Sequence, residues 1–230
     1  MTGTAADPVA APQIRLDVWA DITCPWCHIG HARLRKALAR LPRPDAVAVH
    51  HRAFELDPDL PAGIGGQKLA ALAERKSISL DQAREMYRRI GEVAAAEPVD
   101  FDPEAVIAAN TFDAHRLIKL AADRGAAQAD AVVTALFQAH FADGRVIDDR
   151  QVLADIGARA GLDRAAVLAD LGGSAAGDAA GAAVRADERR AAAMGARGVP
   201  FYLADGRLAL SGAQSPSALL ELLRTAASGR

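Results

Sequence analysis

The stretch "DITCPWCHIG", residues 21–30, carries Cys24 and Cys27, the only cysteines among 230 residues. Three readings are open for such a C-x-x-C pair: a reactive redox dithiol, half of a metal site, or two buried thiols that lie close by chance. The neighbouring residues weigh them. Pro25 suits the first turn of a helix, where its missing N–H costs nothing, so Cys24 becomes the cap residue. Its sulfur then sits among free backbone N–H groups at the positive end of the helix dipole. That favours thiolate, the nucleophilic form. Cys27 lies one turn further on, along an apolar stripe with Gly30, Leu34, Ala37, Leu38 and Leu41. The pattern predicts an exposed attacking sulfur and a shielded resolving sulfur. Trp26 and Ile29 point away from the stripe, toward the helical insert or a substrate.

A metal is not expected. His28 and His31 extend the cysteines to the spacing i, i+3, i+4 and i+7. The two ends of that set are about 10 Å apart along a straight helix. Zinc bonds are only about 2.0–2.3 Å long, so four such ligands do not converge.

Outward from the pair, "IRLDVWAD" at 14–21 alternates apolar and polar residues, as a strand does, and "AVAVHHRAF" at 46–54 is a second strand rich in Val. A helical period runs between them, which makes a βαβ unit. His50 and His51 are adjacent on the second strand and point to opposite faces, so they form no simple pair. From residue 66 to 171 the pattern is helical. Ser79 and Gln82 have capping-box spacing, and another helix starts at a cap-like Asn110 or Thr111. The glycine-dotted 172–181 reads as a joint, followed by a helix to about Met194. Two short strands, "FYLA" and "RLALSG", are joined by Asp205-Gly206, a good hairpin turn. A last helix spans about Ser215 to Ala227.

Thus β-α-β and α-β-β-α flank a helical segment. The expected fold class is α/β: a thioredoxin fold, 14–62 and 176–230, with a large all-helical insertion, 63–175, behind a disordered lead of 1–13. Hydrophobic residues make up 51% and aromatics 4%, so Ala and Leu do most of the packing, which suits a helix-rich chain. The net charge of −2 gives no electrostatic reason to expect nucleic acid or an acidic membrane as partner. The N-terminus lacks a basic and an apolar region of a signal peptide, and no apolar run approaches a membrane span. A cytoplasmic protein is expected; a mature secreted chain stays open.

In a thioredoxin fold, the loop before the third strand carries a cis proline facing the dithiol. Pro200 precedes "FYLA" at that place and is expected to be cis. The Val199 backbone then offers hydrogen bonds to an extended substrate strand.

With "DITCPWCHIG", "HHRAFELDP", "NTFDAHRLIKLA", "LFQAHFADGRVIDDRQVLADIG", "ARGVPFYL" and "LSGAQSPSAL", the chain resembles the DsbA-like thioredoxin superfamily, in particular the FrnE-type dithiol–disulfide oxidoreductases and isomerases. The resemblance covers most of the chain after about residue 14. It implies a DsbA-like fold with the active site between the two parts, and thiol–disulfide exchange by Cys24 and Cys27 through mixed disulfides. It also brings the helix start with Asn110 and His115 to face the dithiol. Trp26, Asn110, His115, Val199 and Pro200 are the expected substrate-binding residues. His115 either tunes the Cys24 thiolate, binds substrate, or is a half-buried helix histidine; Asn110 also reads as a plain cap. One departure is His28, where the family often has Tyr. Another is Trp26 before Cys27, where the strongly oxidising DsbA has His; this argues against a strong oxidant. "SGAQS" before the last helix reads mainly as a helix start, although related glutathione-using folds hold a carboxylate near there.

The expected partners are client proteins or small thiols and disulfides, acting on a monomer or homodimer. No metal or organic cofactor is needed, and glutathione enters only as a co-substrate. The alternatives are a glutathione-dependent isomerase or transferase of the 2-hydroxychromene-2-carboxylate isomerase or kappa-class type, and a non-catalytic peptide-binding chaperone. The former enzymes typically carry a serine where this chain has Cys24.

Overall fold

The computed structural model describes residues 14–63, 66, 68–173 and 179–229. The expected lead 1–13 and part of the joint at 172–181 lie outside the described residues. Strand β1 (Ile14–Ala20) runs into helix α1 (Pro25–Leu38), which returns to β2 (Val47–Ala53). Six helices follow: α2 (Lys68–Lys76), α3 (Leu80–Ala94), α4 (Phe112–Ala122), α5 (Ala126–Phe141), α6 (Arg150–Arg159) and α7 (Arg164–Gly172). Helix α8 (Ala179–Ala193) leads back to β3 (Phe201–Ala204), β4 (Leu208–Ser211) and α9 (Pro216–Ser228). The sheet order is β2-β1-β3-β4, with β1 and β2 parallel and the other pairs antiparallel. This is a thioredoxin fold with a helical insertion.

Local chemistry sets the element ends. Ser79 Oγ accepts from the Gln82 N–H at 3.1 Å while Gln82 Oε1 accepts from the Ser79 N–H at 2.8 Å, a complete capping box on α3. Asp205 and Gly206 both have positive φ, 50° and 71°, in the three-residue connection 205–207 between β3 and β4, where the Arg207 N–H donates to the Ala204 carbonyl at 3.1 Å.

The expected single apolar stripe on α1 divides in two. Leu34 and Ala37 pack with Leu16, Val18, Tyr202 and the α9 leucines on one face of the sheet. Cys24, Cys27 and Ile29 instead join the core of the insertion, with Leu72, Tyr87 and Phe137. Helix α1 is sandwiched, so it is buried on more of its circumference than a surface helix. Helix α8 covers the other face of the sheet and is tied down by charge. Asp187 on α8 accepts from Arg52 Nη1 at 3.1 Å and from the Ala53 N–H at 3.1 Å. It also pairs with Lys119 of α4, whose ammonium donates to the His51 carbonyl at 3.0 Å. This network holds α4 against the sheet one turn beyond His115.

Candidate active site

Cys24 is the N-cap of α1, with extended backbone angles (φ −91°, ψ 113°) and Pro25 next in the helix. Its N–H donates to the Asp21 carbonyl at 3.1 Å, and its own carbonyl accepts from the Cys27 N–H at 3.0 Å. The Val199–Pro200 peptide bond is cis, and the Cys24 thiol donates to the Val199 carbonyl at 3.8 Å. Pro200 is packed on α1 so tightly that a Cβ on Gly30 would stand 3.0 Å from its Cγ and 2.6 Å from the Tyr202 hydroxyl. Glycine at position 30 is thus what lets the helix approach this loop.

The two sulfurs differ. A hydrogen bond from Cys27 and the backbone amides of Cys27 and Trp26 at the helix start hold the Cys24 thiol below its usual pKa, against burial. Burial pushes the Cys27 thiol well up, and the neighbouring Cys24 adds to this. Of the two sulfurs, Cys24 is the one biased toward thiolate. A cleft of about 620 Å³ reaches Cys24 from solvent, between the start of α1 and the helices α2 and α3; Cys27 is not among its lining residues. The expectation of an exposed attacking sulfur is corrected: Cys24 is only 5% exposed and forms part of the cleft floor. The insertion, folding back over the helix start, covers it.

Behind the dithiol lies a charged group that sequence reasoning passed over. Asp21 is 1% exposed. Its carboxylate accepts from the Leu56 N–H at 2.7 Å and from the Thr23 hydroxyl at 3.2 Å, and His115 Nε2 stands 3.7 Å away. Burial alone would raise its pKa; His115, the Leu56 N–H and Lys68 overcome this and hold it below the usual carboxylate range. An acidic residue at a strand end, three before a C-x-x-C cysteine, was the only signal in the sequence.

The fold of β1, α1 and β3 around a helix-capping dithiol and a cis proline, with a helical insertion closing the site, agrees with what comparison shows. The DSBA-like thioredoxin domain model matches residues 15–224. The chain belongs to that family. A probable DsbA oxidoreductase from Streptomyces coelicolor is similar at 39% identity, covering 94% of this chain and 91% of that one, with a TM-score of 0.84. The cytosolic disulfide reductase DsbM from Pseudomonas aeruginosa has the same fold at 20% identity and a TM-score of 0.62, covering 94% of this chain and all of that one (100%). A 2-hydroxychromene-2-carboxylate isomerase does so at 19% identity and a TM-score of 0.62, covering 94% and 99%. No curated protein sequence matches it.

The remaining expected residues of this DsbA-like chain fall in different places. Trp26 is 40% exposed at the cleft rim, as is Leu56 at 42%; Ile29 is buried in the insertion core. His115 is buried at 2% and faces Asp21 rather than the cleft, so direct substrate contact is corrected to a place behind the sulfurs. Asn110 lies outside the Cys24 cleft and lines another one with Arg150 and Arg185. Its side chain donates to the Leu60 carbonyl at 2.8 Å and accepts from the Phe112 N–H at 2.9 Å. Asn110 thus ties the start of α4 to the loop after β2; the N-cap itself is Thr111, without a side-chain cap bond.

His28 and His31 do not join the cysteines. His28 stacks on Phe137 and Phe141, with ring centroids 5.1 and 5.2 Å away, and His31 bonds to the Thr134 hydroxyl at 3.0 Å. Among the described residues no group of three or more His, Cys, Asp or Glu is arranged to hold a metal. No helix among them is long and apolar enough to cross a membrane. Ser215 caps α9, its hydroxyl accepting from the Ala218 N–H at 3.2 Å, which is the helix-start reading of "SGAQS".

Proposed function

We propose that this protein is a protein dithiol–disulfide oxidoreductase, with Cys24 as the attacking and Cys27 as the resolving thiol. The observation that carries the reading is the opposite bias of the two sulfurs: Cys24 at the helix cap favours thiolate, while buried Cys27 keeps its proton. The Cys24 thiolate attacks one sulfur of a client disulfide. A Cys24–client disulfide forms and the other client sulfur leaves as thiolate. Cys27 then loses its proton and attacks Cys24; the second client sulfur leaves, taking up a proton. The client gains two electrons and the protein is left with a Cys24–Cys27 disulfide. The reverse steps oxidise a client dithiol.

Asp21 shapes this chemistry from behind. Its charge opposes thiolate at both sulfurs. Val199 offers its backbone beside Cys24 to an extended client. Glutathione serves as co-substrate, client proteins or small thiols are the partners, and a cytoplasmic site of action suits a chain whose only two cysteines form this pair.

The test is a pair of variants. Cys24→Ser should lose disulfide reduction, and Cys27→Ser should accumulate mixed disulfides with clients or glutathione, seen by mass spectrometry. Full turnover by either variant with a dithiol donor would point to another chemistry.

A further inference from the structure

The cleft beside Cys24 combines two kinds of surface. Its wall is apolar: Leu72 from α2 and Met86, Ile90 and Val93 from α3 line it. At its mouth Trp26 and Leu56 are two of the large hydrophobic side chains that the chain leaves exposed, at 40% and 42%. Its charged lining is of one sign. Lys68, Arg75, Lys76 and Arg89 line it, and no Asp or Glu does.

This positive field runs against the charge of the chain as a whole, which is −2. Two of the cations have partners at the outer edge: Arg75 with Asp57 at 3.1 Å and Arg89 with Glu85 at 2.7 Å. These pairs are solvent-exposed, and such pairs hold their partners weakly, by about 0–1 kcal/mol. A carboxylate arriving in the cleft can compete for both guanidinium groups. Lys76 makes no ion pair with the described residues. Cations around a cleft also raise the local concentration of anionic partners and speed their arrival.

We infer that the cleft selects, as the redox partner of Cys24, an extended protein segment that carries an apolar side chain beside its cysteine and Asp or Glu nearby. This rests on the dithiol reading above and adds client selection to it; the exchange steps are unchanged. A protein segment fits better than a small thiol for a physical reason. Glutathione brings carboxylates but no apolar side chain, so it would leave Leu72, Met86, Ile90 and the exposed Trp26 and Leu56 uncovered. An apolar segment without acidic residues would leave Lys76 unanswered and would offer Arg75 and Arg89 nothing beyond their exposed surface pairs.

The experiment uses the full chain in its reduced form and four disulfides. Three are decapeptides joined through their cysteine to a common small thiol: one with Leu beside Cys and flanking Glu, one with Leu and flanking Lys, one with Ser and flanking Glu. The fourth is oxidised glutathione. The second-order rate of oxidation of the protein is followed by stopped flow at low and at high salt. The Leu/Glu peptide should react at least tenfold faster than the Leu/Lys peptide and several-fold faster than the Ser/Glu peptide. High salt should shrink the first ratio and leave the second. Lys76→Glu with Arg89→Glu should bring the Glu-to-Lys ratio to one or below, whereas Arg224→Gln, on exposed α9 surface away from the cleft, should leave it unchanged. Equal rates for Glu and Lys peptides, or oxidised glutathione outrunning the Leu/Glu peptide, would overturn the inference. Reaction with none of the four would overturn the dithiol reading itself, and this inference with it.

Discussion

Asp21 Oδ1 and His115 Nε2 stand 3.7 Å apart, and through them the sheet and the helical insertion meet directly behind the dithiol. Both side chains are almost fully buried, so the Asp21 charge acts on the sulfurs through protein rather than water. Asp21 opposes thiolate at Cys24 and at Cys27, while the helix-cap amides favour it at Cys24. The poise of the pair is the balance of these effects.

Asp21→Asn removes the opposing charge. The Cys24 pKa should fall, and the reduced form should become more stable relative to the disulfide. Each unit of pKa corresponds to about 1.4 kcal/mol, or about 30 mV of this two-electron couple. The potential, measured in a glutathione buffer, should therefore rise. A Cys24 pKa that stays put or rises in the variant would remove Asp21 from the site's electrostatics.

Alkylation should separate the sulfurs. With the reduced protein, iodoacetamide should label Cys24 first, with a rate that rises through a pKa below the free value of about 8.5. Cys27, raised by burial, should react only at higher pH or on unfolding. Faster labelling of Cys27 would reverse the roles assigned here.

Gly30→Ala should strain the contact between α1 and the Val199–Pro200 loop. The new Cβ would lie 2.6 Å from the Tyr202 hydroxyl and 3.0 Å from Pro200 Cγ. Overpacking of this kind costs about 1–3 kcal/mol, readable as a lower Tm. The Tyr202 hydroxyl is buried without a hydrogen-bond partner among the described residues, so Tyr202→Phe by itself should be nearly neutral. The double variant should recover much of the lost stability; no recovery would place the strain elsewhere, at Pro200.

Stability should fall on acidification, and the sign follows from buried histidines. Burial lowers His28 to about 4, and His31 and His140 to about 3. The unfolded chain, with histidine near 6.5, binds more protons in this range, so stability present above about pH 6.5 is lost as pH falls toward 4. At pH 5 a histidine with a folded value near 4 accounts for about 2 kcal/mol of loss. His28→Leu should flatten denaturation curves between pH 6.5 and 5; an unchanged slope would contradict the assignment. Glu55 runs the other way. Burial and the neighbouring Glu188 raise it to about 7, so its contribution is fully present below about pH 4.5 and is lost as pH rises through 7. Glu55→Gln should remove that second, alkaline-side loss.

The sequence by itself determined the local features: Cys24 as cap with Pro25 behind it, the Ser79–Gln82 box, the Asp205-Gly206 turn, the β-α-β and α-β-β-α order, and a proline ahead of β3. Each depends on residues within a few positions of one another, where backbone geometry follows from residue type. Tertiary structure alone decided what surrounds the sulfurs. Lys68, Arg75 and Arg89 are brought to Cys24 by helices more than forty residues further along the chain. The bond from Asn110 to Leu60 takes it away from the dithiol, and Phe137 and Phe141 hold His28, although it lies next to Cys27 in the chain. A helical periodicity shows that an insertion has an apolar face; it carries no record of which distant helix that face will meet. The burial of Asp21 and Cys24, and with it the charge balance at the dithiol, follows from that packing because desolvation acts only once the chain has closed over them.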